Sequence, residues 1–457
     1  MQIMKKVSLH TIGCKLNFSE TSTIGNQFLQ NGFDIIDFKD STSGNRRADI
    51  YVFNTCTVTE NAEKECRQLV RRALRKNPEA FVIVTGCYAQ LRPGEIAGID
   101  GVDIVLGSKE KFNLFSIIDN FKKKDFACTF VSPTEELNEF GKAHSTDADA
   151  RTRAYFKIQD GCDYTCSFCT IPLARGQSRS MNPEEVISEF KKLIAQGYKE
   201  IILTGVNVGD FGKSYKTNLY SLLQKMIGVP GNFRIRISSI EPNLLSDDIL
   251  NLTLDSDKLC KHFHIPLQSG SKKILRLMQR RYKLEDYRKL IFKAKDTIKN
   301  LGIGVDVIVG FPGETEEDFL DTYNFLNEIP VSYLHVFTYS ERPDTKAIKM
   351  PDAVDVFERK KRNNMLRILS EKKRHQFYKE MTGKELKVLF ESEDGQGMIK
   401  GFSSNYVRVI HKSSPHLENQ FCSVKIKNIE GNICSGEIMG NSYNLKEIKN
   451  SVDKLAS

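Results

Sequence analysis

The sequence lacks any long hydrophobic run. Its longest apolar stretches, such as those at Phe81–Val84 and Ile201–Leu203, have the length of a β-strand, whereas a membrane helix needs roughly 20 apolar residues. The first residues, MQIMKKVSLHTIGC, also contain no apolar segment of signal-peptide length. Both absences argue against a membrane protein and a secreted protein. We therefore expect a cytoplasmic location, in which thiols stay reduced.

Two further absences narrow the chemistry. The glycine-rich stretch GVDVIVGFPGET has no lysine of the kind found in phosphate-binding loops, so it does not indicate a nucleoside triphosphate site. The 457 residues include 11 cysteines, but only Cys166 and Cys169 have CxxC spacing, and no second pair completes a structural zinc site. An odd number of cysteines in a reducing compartment favours metal or redox chemistry over disulfides.

The positive charge is concentrated in a few stretches. The formal net charge of +9 is a mild indication of a polyanionic partner. Residues 63–78, 272–283 and 358–375 each carry several basic side chains at helical spacing. Each stretch alone is typical of a solvated helix face, but three of them together also suit a nucleic-acid-binding surface. Charge alone leaves both interpretations open.

The first section of the chain predicts an α/β layer domain over residues 1–121. The runs VSLHTI, DIYVFN, FVIVT and DIVLG are typical of buried parallel strands, and stretches with helical periodicity alternate with them. Such alternation forms a parallel sheet covered by helices. Residues 122–150 are polar and lack sustained periodicity, so we interpret them as a linker.

The middle section, residues 151–376, repeats the strand–helix pattern six times. Helix starts are marked by Asn182 before a proline and by a capping-box pattern at Thr315. Six βα units are too few for a closed eight-stranded barrel, so we predict an open, partial (β/α)6 barrel. Active sites in such barrels lie at the carboxyl ends of the strands.

The last section, residues 377–447, changes its period. Short alternating strands separated by glycine, serine and asparagine turns predict a small antiparallel β-barrel. Barrels of this kind bind oligonucleotides, although a cap that stabilises or dimerises the protein fits the pattern equally well.

Two sets of three cysteines follow predicted strands. One set lies directly after the first barrel strand, where catalysis is expected, and the other set follows three successive strands of the N-terminal sheet. Three thiolates around one metal centre leave a coordination position for a substrate or cofactor. The alternative is a chance grouping of unrelated cysteines. The two sets are Cys162, Cys166 and Cys169, and Cys14, Cys56 and Cys87.

These motifs resemble those of a known family. CDYTCSFC is similar to the CxxxCxxC signature of the radical SAM enzymes, including the aromatic Phe168 before the last cysteine. Together with GCKLN, NTCTVTENAE, TGCYAQ, LTGVNVGDFG, HIPLQSGS, GFPGET and YSERPDT, it resembles the methylthiotransferases over essentially the whole chain. That family has an N-terminal cluster domain, a radical SAM barrel and a C-terminal TRAM domain. With Lys15 after the first cysteine, the chain most resembles the branch that acts on N6-threonylcarbamoyladenosine in tRNA.

The resemblance implies two [4Fe-4S] clusters and S-adenosyl-L-methionine as cofactors. The three cysteines of the barrel would hold the cluster at which S-adenosylmethionine is reductively cleaved, and the N-terminal three would hold a cluster carrying the sulfur to be inserted. A 5′-deoxyadenosyl radical would remove hydrogen from C2 of the adenine, and methylthio would be transferred there. The implied partners are the tRNA anticodon stem-loop, an electron donor and a sulfur source, with no membrane.

Further contacts to the cofactor are expected at the ends of the barrel strands. The resemblance implies that backbone there meets the methionine part of S-adenosylmethionine and that side chains reach its ribose, whereas tight-turn packing would explain the glycine equally well. The candidates are Phe168, Gly205, Val206, Asn207, Ser238, Glu241 and Gln268. Asp306 is either a buried structural carboxylate or a substrate ligand, and His262 and His264 are expected to pack rather than to catalyse.

Three other functions fit parts of the sequence. A methylthiotransferase of the same fold could act on isopentenyladenosine in tRNA or on an aspartate of a ribosomal protein. A non-catalytic iron–sulfur protein that binds RNA would also carry clusters and basic helices. The three-ligand sets argue against that last class, because a purely structural cluster would normally be closed by a fourth ligand.

Overall fold

The computed structural model describes residues 5–43, 46–57, 60–145 and 152–439. Residues 1–4 of the predicted first domain, residues 146–150 of the predicted linker and residues 440–447 of the predicted last domain lie outside the described residues. Among those that are described, no helix is both long and apolar enough to cross a membrane.

The N-terminal part forms one parallel six-stranded sheet in the order β2-β1-β3-β4-β5-β6. Its central strands β3 and β4 are buried along their whole length, as expected for a parallel sheet that helices cover. The strands are β1 Lys6–Thr11, β2 Asp34–Ile35, β3 Ile50–Thr55, β4 Phe81–Gly86, β5 Ile104–Leu106 and β6 Cys128–Phe130. The helices are α1 Lys15–Gln30, α2 Phe38–Ser43, α3 Glu60–Lys76, α4 Cys87–Leu91, α5 Pro93–Ala97 and α6 Leu114–Ile117.

Strand β6 corrects the prediction of a linker over residues 122–150. It pairs in parallel with β5 and extends the sheet by one strand. Its three residues are too few to show a periodicity, so the pattern of the sequence could not separate them from a loop.

The middle part is an open barrel of six parallel strands. Two three-stranded sheets, β7-β10-β11 and β12-β13-β14, are joined by a parallel bridge between Ile235 and Leu259. The strands are β7 Arg153–Lys157, β10 Glu200–Thr204, β11 Arg234–Ile237, β12 His262–His264, β13 Gly302–Val309 and β14 Tyr333–Thr338, and a short antiparallel pair is formed by β8 Gln159–Asp160 and β9 Arg179–Ser180. The order matches the six predicted strands, so the partial barrel is confirmed.

Helices of the barrel begin where the capping residues predict. The Asn182 side chain accepts hydrogen bonds from two backbone amides of the first turn of α8, and Thr315 forms a capping box with Asp318 at the start of α13. The helices are α7 Ile171–Arg175, α8 Pro183–Ala195, α9 Leu219–Ile227, α10 Asp247–Asp255, α11 Lys272–Leu277, α12 Leu284–Thr297, α13 Glu316–Glu328 and α14 Val356–Met381.

The C-terminal part is a closed antiparallel barrel with one parallel pairing, in the order β15-β16-β17-β19-β18, as the sequence predicted. Its strands are β15 Glu385–Glu393, β16 Met398–Ser403, β17 Arg408–Lys412, β18 Phe421–Glu430 and β19 Ile433–Ile438. Arg234 and Arg236 of the partial barrel fix it in place. Both guanidinium groups pair with the buried carboxylate of Glu200, and both also donate to backbone carbonyls of the C-terminal barrel.

Both open edges of the partial barrel are covered. Helix α1 of the N-terminal part lies against β7, where the rings of Phe18 and Tyr155 are 5.6 Å apart. Helix α14 lies against β14, and the Ser370 hydroxyl bonds both the amide and the carbonyl of Leu334. The two edges are therefore closed by a helix of the N-terminal part and by the last helix of the barrel itself.

Candidate functional site

The cysteines of the middle part lie on the loop between β8 and α7. Gly161 starts this loop with a φ of +68°, and a Cβ atom there would lie 1.9 Å from the Gln177 carbonyl oxygen. The close approach lets the Cys162 amide donate to the Gly176 carbonyl over 3.0 Å. The glycine thus fixes the path of the loop that carries Cys162, Cys166 and Cys169.

The N-terminal cysteines meet at the carboxyl edge of the sheet. Cys56 directly follows β3, Cys87 opens α4 directly after β4, and Cys14 precedes α1. A Cβ atom on Gly13, whose φ is +108°, would lie 2.5 Å from the Cβ atom of Cys56. The loops after β1 and β3 are therefore in contact, as the strand pattern predicted.

Neither set of thiols is arranged around a single ion. Among the described residues, the one group of three metal-ligating side chains whose ligand atoms all lie within 4.8 Å of one another is His264, Asp306 and His335, and no cysteine belongs to it. The wider spacing suits a polynuclear cluster in which each thiolate binds a different iron.

Burial favours the protonated form of three of these thiols. Desolvation raises the pKa of Cys162 to about 11 and that of Cys169 to about 12, and it also raises the pKa of Cys87. A positive charge close to the sulfur opposes this preference, as Arg175 does at Cys87 without outweighing burial. Iron atoms supply such charge, so the donor set fits an iron–sulfur cluster.

Each set also has a buried arginine that donates to one thiol. Arg280 places Nη1 3.2 Å from Sγ of Cys166, and its side chain is only 3% exposed. Its other terminal nitrogen pairs with the carboxylate of Glu241. Arg175 places Nε 3.2 Å from Sγ of Cys87. Hydrogen bonds to cysteine sulfur are one of the means by which proteins set the potential of iron–sulfur clusters.

Arg175 belongs to a buried charge network with more cations than anions. Its Nη1 lies 3.0 Å from Glu20 and 3.1 Å from Asp160. Lys111 lies 2.7 Å from Glu20, and Lys157 lies 3.1 Å from Glu20 and 2.6 Å from Asp160. Three buried cations thus face two carboxylates, and the partly exposed Arg179 adds a fourth cation 3.1 Å from Asp160. Since an unpaired buried charge is costly, the surplus needs an anion, and a thiolate-ligated cluster beside Cys87 would provide one.

The carboxylate of Glu20 is held in its charged form by this network. Burial by itself would raise the pKa of Glu20, but Arg175, Lys111 and Lys157 outweigh it and hold that pKa well below 4.5. Glu20 therefore ties α1 of the N-terminal part to the partial barrel as an ionised group.

The two sets of cysteines face one short segment of chain. Arg175 contacts the thiol of Cys87, and the next residue, Gly176, accepts the hydrogen bond from Cys162. One cysteine from each set thus contacts consecutive residues. The two sets therefore adjoin the same segment of chain rather than lying at distant sites.

Two cavities adjoin these cysteines. The larger, which we call the reaction cavity, has a volume of about 490 Å³ and lies inside the partial barrel; it is lined among others by Cys14, Lys15, Gly205, Ser238, His335 and Tyr406. The smaller has about 210 Å³ and is lined by Phe168, Cys169 and Gln268, among others. Asp306 lines both cavities.

The candidate contact residues are only partly brought together. Ser238 and Gly205 line the reaction cavity, and a Cβ atom on Gly205 would lie 2.7 Å from Oε1 of Gln159. Val206 and Asn207 line neither cavity, and the Asn207 amide donates to the same Gln159 oxygen over 2.8 Å.

The histidines of β12 have different surroundings. The imidazole of His264 has a polar partner at each nitrogen. Its Nδ1 lies 2.6 Å from Oγ of Ser239, and its Nε2 lies 3.1 Å from Oδ1 of Asp306. His262 lies 2.9 Å from the Tyr333 hydroxyl, and burial holds its pKa well below 6.5. A neutral His262 in an aromatic stack agrees with the packing role expected from the sequence.

Sequence reasoning missed the two arginines. It assigned residues 272–283 to a basic helix, whereas α11 ends at Leu277 and Arg280 is buried against Cys166. In residues 358–375, Arg359 and Arg362 are likewise buried and pair with carboxylates. Their positions within amphipathic stretches gave no signal of burial. Arg175, six residues after the last cysteine of the motif, had at least its proximity in sequence as a signal.

Comparisons with known proteins agree with this architecture. The model of the radical SAM superfamily matches residues 156–326, and the model described as uncharacterized protein family UPF0004 matches residues 6–107. The solved structure of the radical S-adenosylmethionine methyltransferase TsrM from Kitasatospora setae, with cobalamin and a [4Fe-4S] cluster bound, has a TM-score of 0.55 at 16% identity and covers 76% of this chain and 77% of that chain. At this identity the likeness concerns the fold alone.

Two curated relatives are similar over nearly the whole chain. The threonylcarbamoyladenosine tRNA methylthiotransferase MtaB of Bacillus subtilis (strain 168) is 40% identical, over 93% of this chain and 94% of the relative. The tRNA-2-methylthio-N(6)-dimethylallyladenosine synthase of Endomicrobium trichonymphae is 32% identical, over 94% of this chain and 99% of the relative. The chain therefore belongs to the methylthiotransferase family of radical SAM enzymes.

Proposed function

We propose that this enzyme adds a methylthio group to C2 of N6-threonylcarbamoyladenosine next to the anticodon in tRNA. Family members use S-adenosylmethionine and [4Fe-4S] clusters. The observation that carries the proposal is the meeting of both cysteine sets at the consecutive residues Arg175 and Gly176, beside a cavity large enough for a base.

In this proposal each cysteine set holds one cluster. Cys162, Cys166 and Cys169 bind the cluster at the mouth of the partial barrel, and Cys14, Cys56 and Cys87 bind the cluster at the edge of the N-terminal sheet. When bound, the cofactors supply a radical that removes hydrogen from C2 and a sulfur that replaces it. An aromatic C–H has no acidic proton for a general base to remove, so the protein's task is to position the adenine.

The residues of the chain orient the reactants. Arg280 and Arg175 hold one thiolate of each set by a charge-assisted hydrogen bond. Phe168 and Gln268 line the smaller cavity beside Cys169, where we place the adenosine end of S-adenosylmethionine. Ser238 and Gly205 line the reaction cavity, in which we place the target adenine between the two clusters.

Lys15 favours the threonylcarbamoyl substrate over the isopentenyl one. It lines the reaction cavity and has no hydrogen-bond or ion-pair partner among the described residues. Its charge reaches the cavity, because it contributes to lowering the pKa of His335 after burial and the neighbouring His264. A free ammonium group suits the carboxylate of a threonyl group, whereas an isopentenyl group offers it no partner.

The test uses reconstituted full-length protein and anticodon stem-loops that carry either modified adenosine. We expect mass spectrometry of the nucleosides to detect methylthio product from the threonylcarbamoyl substrate. Lys15→Glu should lower the kcat/KM for that substrate and narrow its advantage over isopentenyladenosine. Product from isopentenyladenosine alone, or modification of a ribosomal protein in place of RNA, would contradict the proposal.

The cluster assignment has its own test in iron content. Two clusters give about eight irons per chain. Replacing Cys162, Cys166 and Cys169 by alanine should halve the iron and abolish 5′-deoxyadenosine formation, whereas Cys128→Ala is the control and should change neither. Iron that stays near eight, or a content near one zinc, would contradict the assignment.

The two clusters should also be separable by activity. Replacing Cys14, Cys56 and Cys87 by alanine should leave reductive cleavage of S-adenosylmethionine detectable and remove the methylthio product. Loss of both activities in a folded variant would indicate one shared centre. We further propose that the enzyme acts in the cytoplasm on the tRNA anticodon stem-loop, with an electron donor and a sulfur source supplied by other molecules.

A further inference from the structure

A third cavity adjoins the reaction cavity, between the partial barrel and the C-terminal barrel. We call it the junction pocket; it has a volume of about 280 Å³ and is lined among others by Tyr333, Arg374, Phe402, Tyr406 and Arg408. Tyr333 and Tyr406 line the reaction cavity as well. The two cavities are therefore neighbours that share an aromatic wall.

The shared wall is a stack of flat rings. Tyr406 lies 4.6 Å from Phe402 with an interplanar angle of 11°, and 4.6 Å from His262 at 29°. The ring of Tyr333 is 5.9 Å from that of Tyr406, also at 29°. Parallel aromatic faces at the edge of a cavity are what single-stranded nucleic acids stack on.

Tyr406 is held in an unfavourable backbone conformation. Its φ is +71°, in the left-handed region that residues with a side chain rarely adopt. The Ser403 carbonyl accepts from the Tyr406 amide, and the Ser403 hydroxyl accepts from the Val407 amide. The turn thus fixes the tyrosine ring at the wall of both cavities.

The other side of the junction pocket carries positive charge. Arg374 lies 5.7 Å from the centre of the Tyr333 ring and has no carboxylate partner among the described residues. Arg408 is paired with Glu391 at 2.7 Å and lies 4.3 Å from the centre of the Phe402 ring. The guanidinium group of Arg374 therefore remains available for a phosphate.

We propose that the junction pocket binds the nucleotide adjacent to the target adenosine. Its base stacks on the guanidinium plane of Arg408, which itself lies on the ring of Phe402, and its phosphate pairs with Arg374. A target base can enter the reaction cavity only after leaving its own stack, and this exposes the faces of its neighbours. An adjoining pocket with aromatic walls and an unpaired arginine stabilises the loop in that opened form. This inference rests on the proposed RNA substrate.

The experiment is a double-perturbation cycle with full-length protein. Stem-loops carry an abasic nucleotide on the 5′ side of the target, on its 3′ side, or at a distant loop position. In the unchanged protein one of the two adjacent abasic sites should weaken binding about 5- to 150-fold, the range for loss of one stacked base. The distant site should have less than a threefold effect.

The same substitutions are then measured in variants of the pocket. Phe402→Leu and Arg374→Gln change residues that line the junction pocket but not the reaction cavity. Each variant should weaken binding of the intact stem-loop. In each variant the adjacent abasic site should weaken binding by less than about threefold, because the substitution has already removed the contact that the missing base would make. Lys372→Gln, an exposed position on the same helix, is the matched control.

The outcomes separate this inference from the proposed function. Equal abasic effects in the unchanged protein and in both variants, or no effect at either adjacent position, would overturn the pocket. Product formation on threonylcarbamoyladenosine is measured in the same series. If product forms but the pocket variants do not reduce the abasic effect, the proposed role of the junction pocket is wrong and the proposed function stands. If the variants reduce the abasic effect but no product forms, the proposed function is wrong and the role of the pocket stands. Because Arg374→Gln leaves the aromatic stack in place, it tests the pocket even if Phe402→Leu does not fold.

Discussion

Replacing Glu20 by glutamine should be far more damaging than replacing Lys111 by methionine, although the two residues form one ion pair. Glu20 is the partner of Lys111 at 2.7 Å, of Lys157 at 3.1 Å and of Arg175 at 3.0 Å. Glu20→Gln leaves three buried cations and one carboxylate, Asp160. Removing one partner from a buried ion pair typically costs about 3–5 kcal/mol of the free energy of unfolding.

Lys111→Met has the opposite effect on the charge balance. Lys111 has Glu20 as its carboxylate partner, and Glu20 keeps the other two cations when the lysine is lost. Two buried cations then face two carboxylates, while the charge of Arg179 beside Asp160 is partly solvated. Replacement of a buried charge by an apolar side chain of similar size is often neutral or stabilising. In protein without clusters we therefore expect Lys111→Met to change the free energy of unfolding by less than about 1 kcal/mol.

The assay is urea unfolding of cluster-free and reconstituted protein. Far-UV circular dichroism is the suitable signal, because the chain has no tryptophan. Glu20→Gln should shift the first transition to lower urea in both forms, whereas Lys111→Met should do so only in the reconstituted form, where the surplus cation faces the cluster. Similar losses for both variants in cluster-free protein would refute the charge count.

The remaining predictions concern the loop, the junction of the barrels and the response to acid. Gly161→Ala should lose about half of the iron, because the new methyl group meets a carbonyl oxygen at 1.9 Å; Gly197→Ala, which also has a positive φ but open space around it, should keep the iron. Glu200→Gln should raise hydrogen exchange of residues 385–438, since it leaves two buried arginines at that junction without their carboxylate; unchanged exchange would contradict this role. The pKa of Glu20 is well below 4.5 in the folded protein, so its contribution to stability is complete above that pH and is lost as the pH falls below it. Glu20→Gln should therefore make the free energy of unfolding fall less steeply below pH 4.5. An unchanged dependence on pH in that range would argue against an ionised Glu20.

The fold could be predicted where local pattern decides it. Buried parallel strands show continuous apolar runs, and the Asn182 and Thr315 caps mark helix starts. The N-terminal sheet with its helices and the partial barrel could therefore be predicted from the sequence. The cysteines could be placed because they directly follow such strands. Strands β2 and β6 were missed, since two or three residues carry no periodicity.

The electrostatics of the site could not be predicted in the same way. Arg175 and Glu20 are 155 positions apart, and their contact depends on how two domains pack. Arg280 lies in a stretch whose basic residues suggest an exposed surface, yet its side chain is 3% exposed. Periodicity shows which face of an element is apolar, but it does not identify the partner of a charged side chain.

The contact of both cysteine sets with Arg175 and Gly176 has a consequence for motion. One hydrogen bond from each cysteine set reaches two residues joined by a single planar peptide bond, so moving the N-terminal part away from the partial barrel would break the hydrogen bond between Arg175 and Cys87. Hinge opening between the N-terminal part and the partial barrel would have to break the buried charges around Glu20 first. We therefore expect little relative movement of the two cysteine sets as long as this charge network is intact.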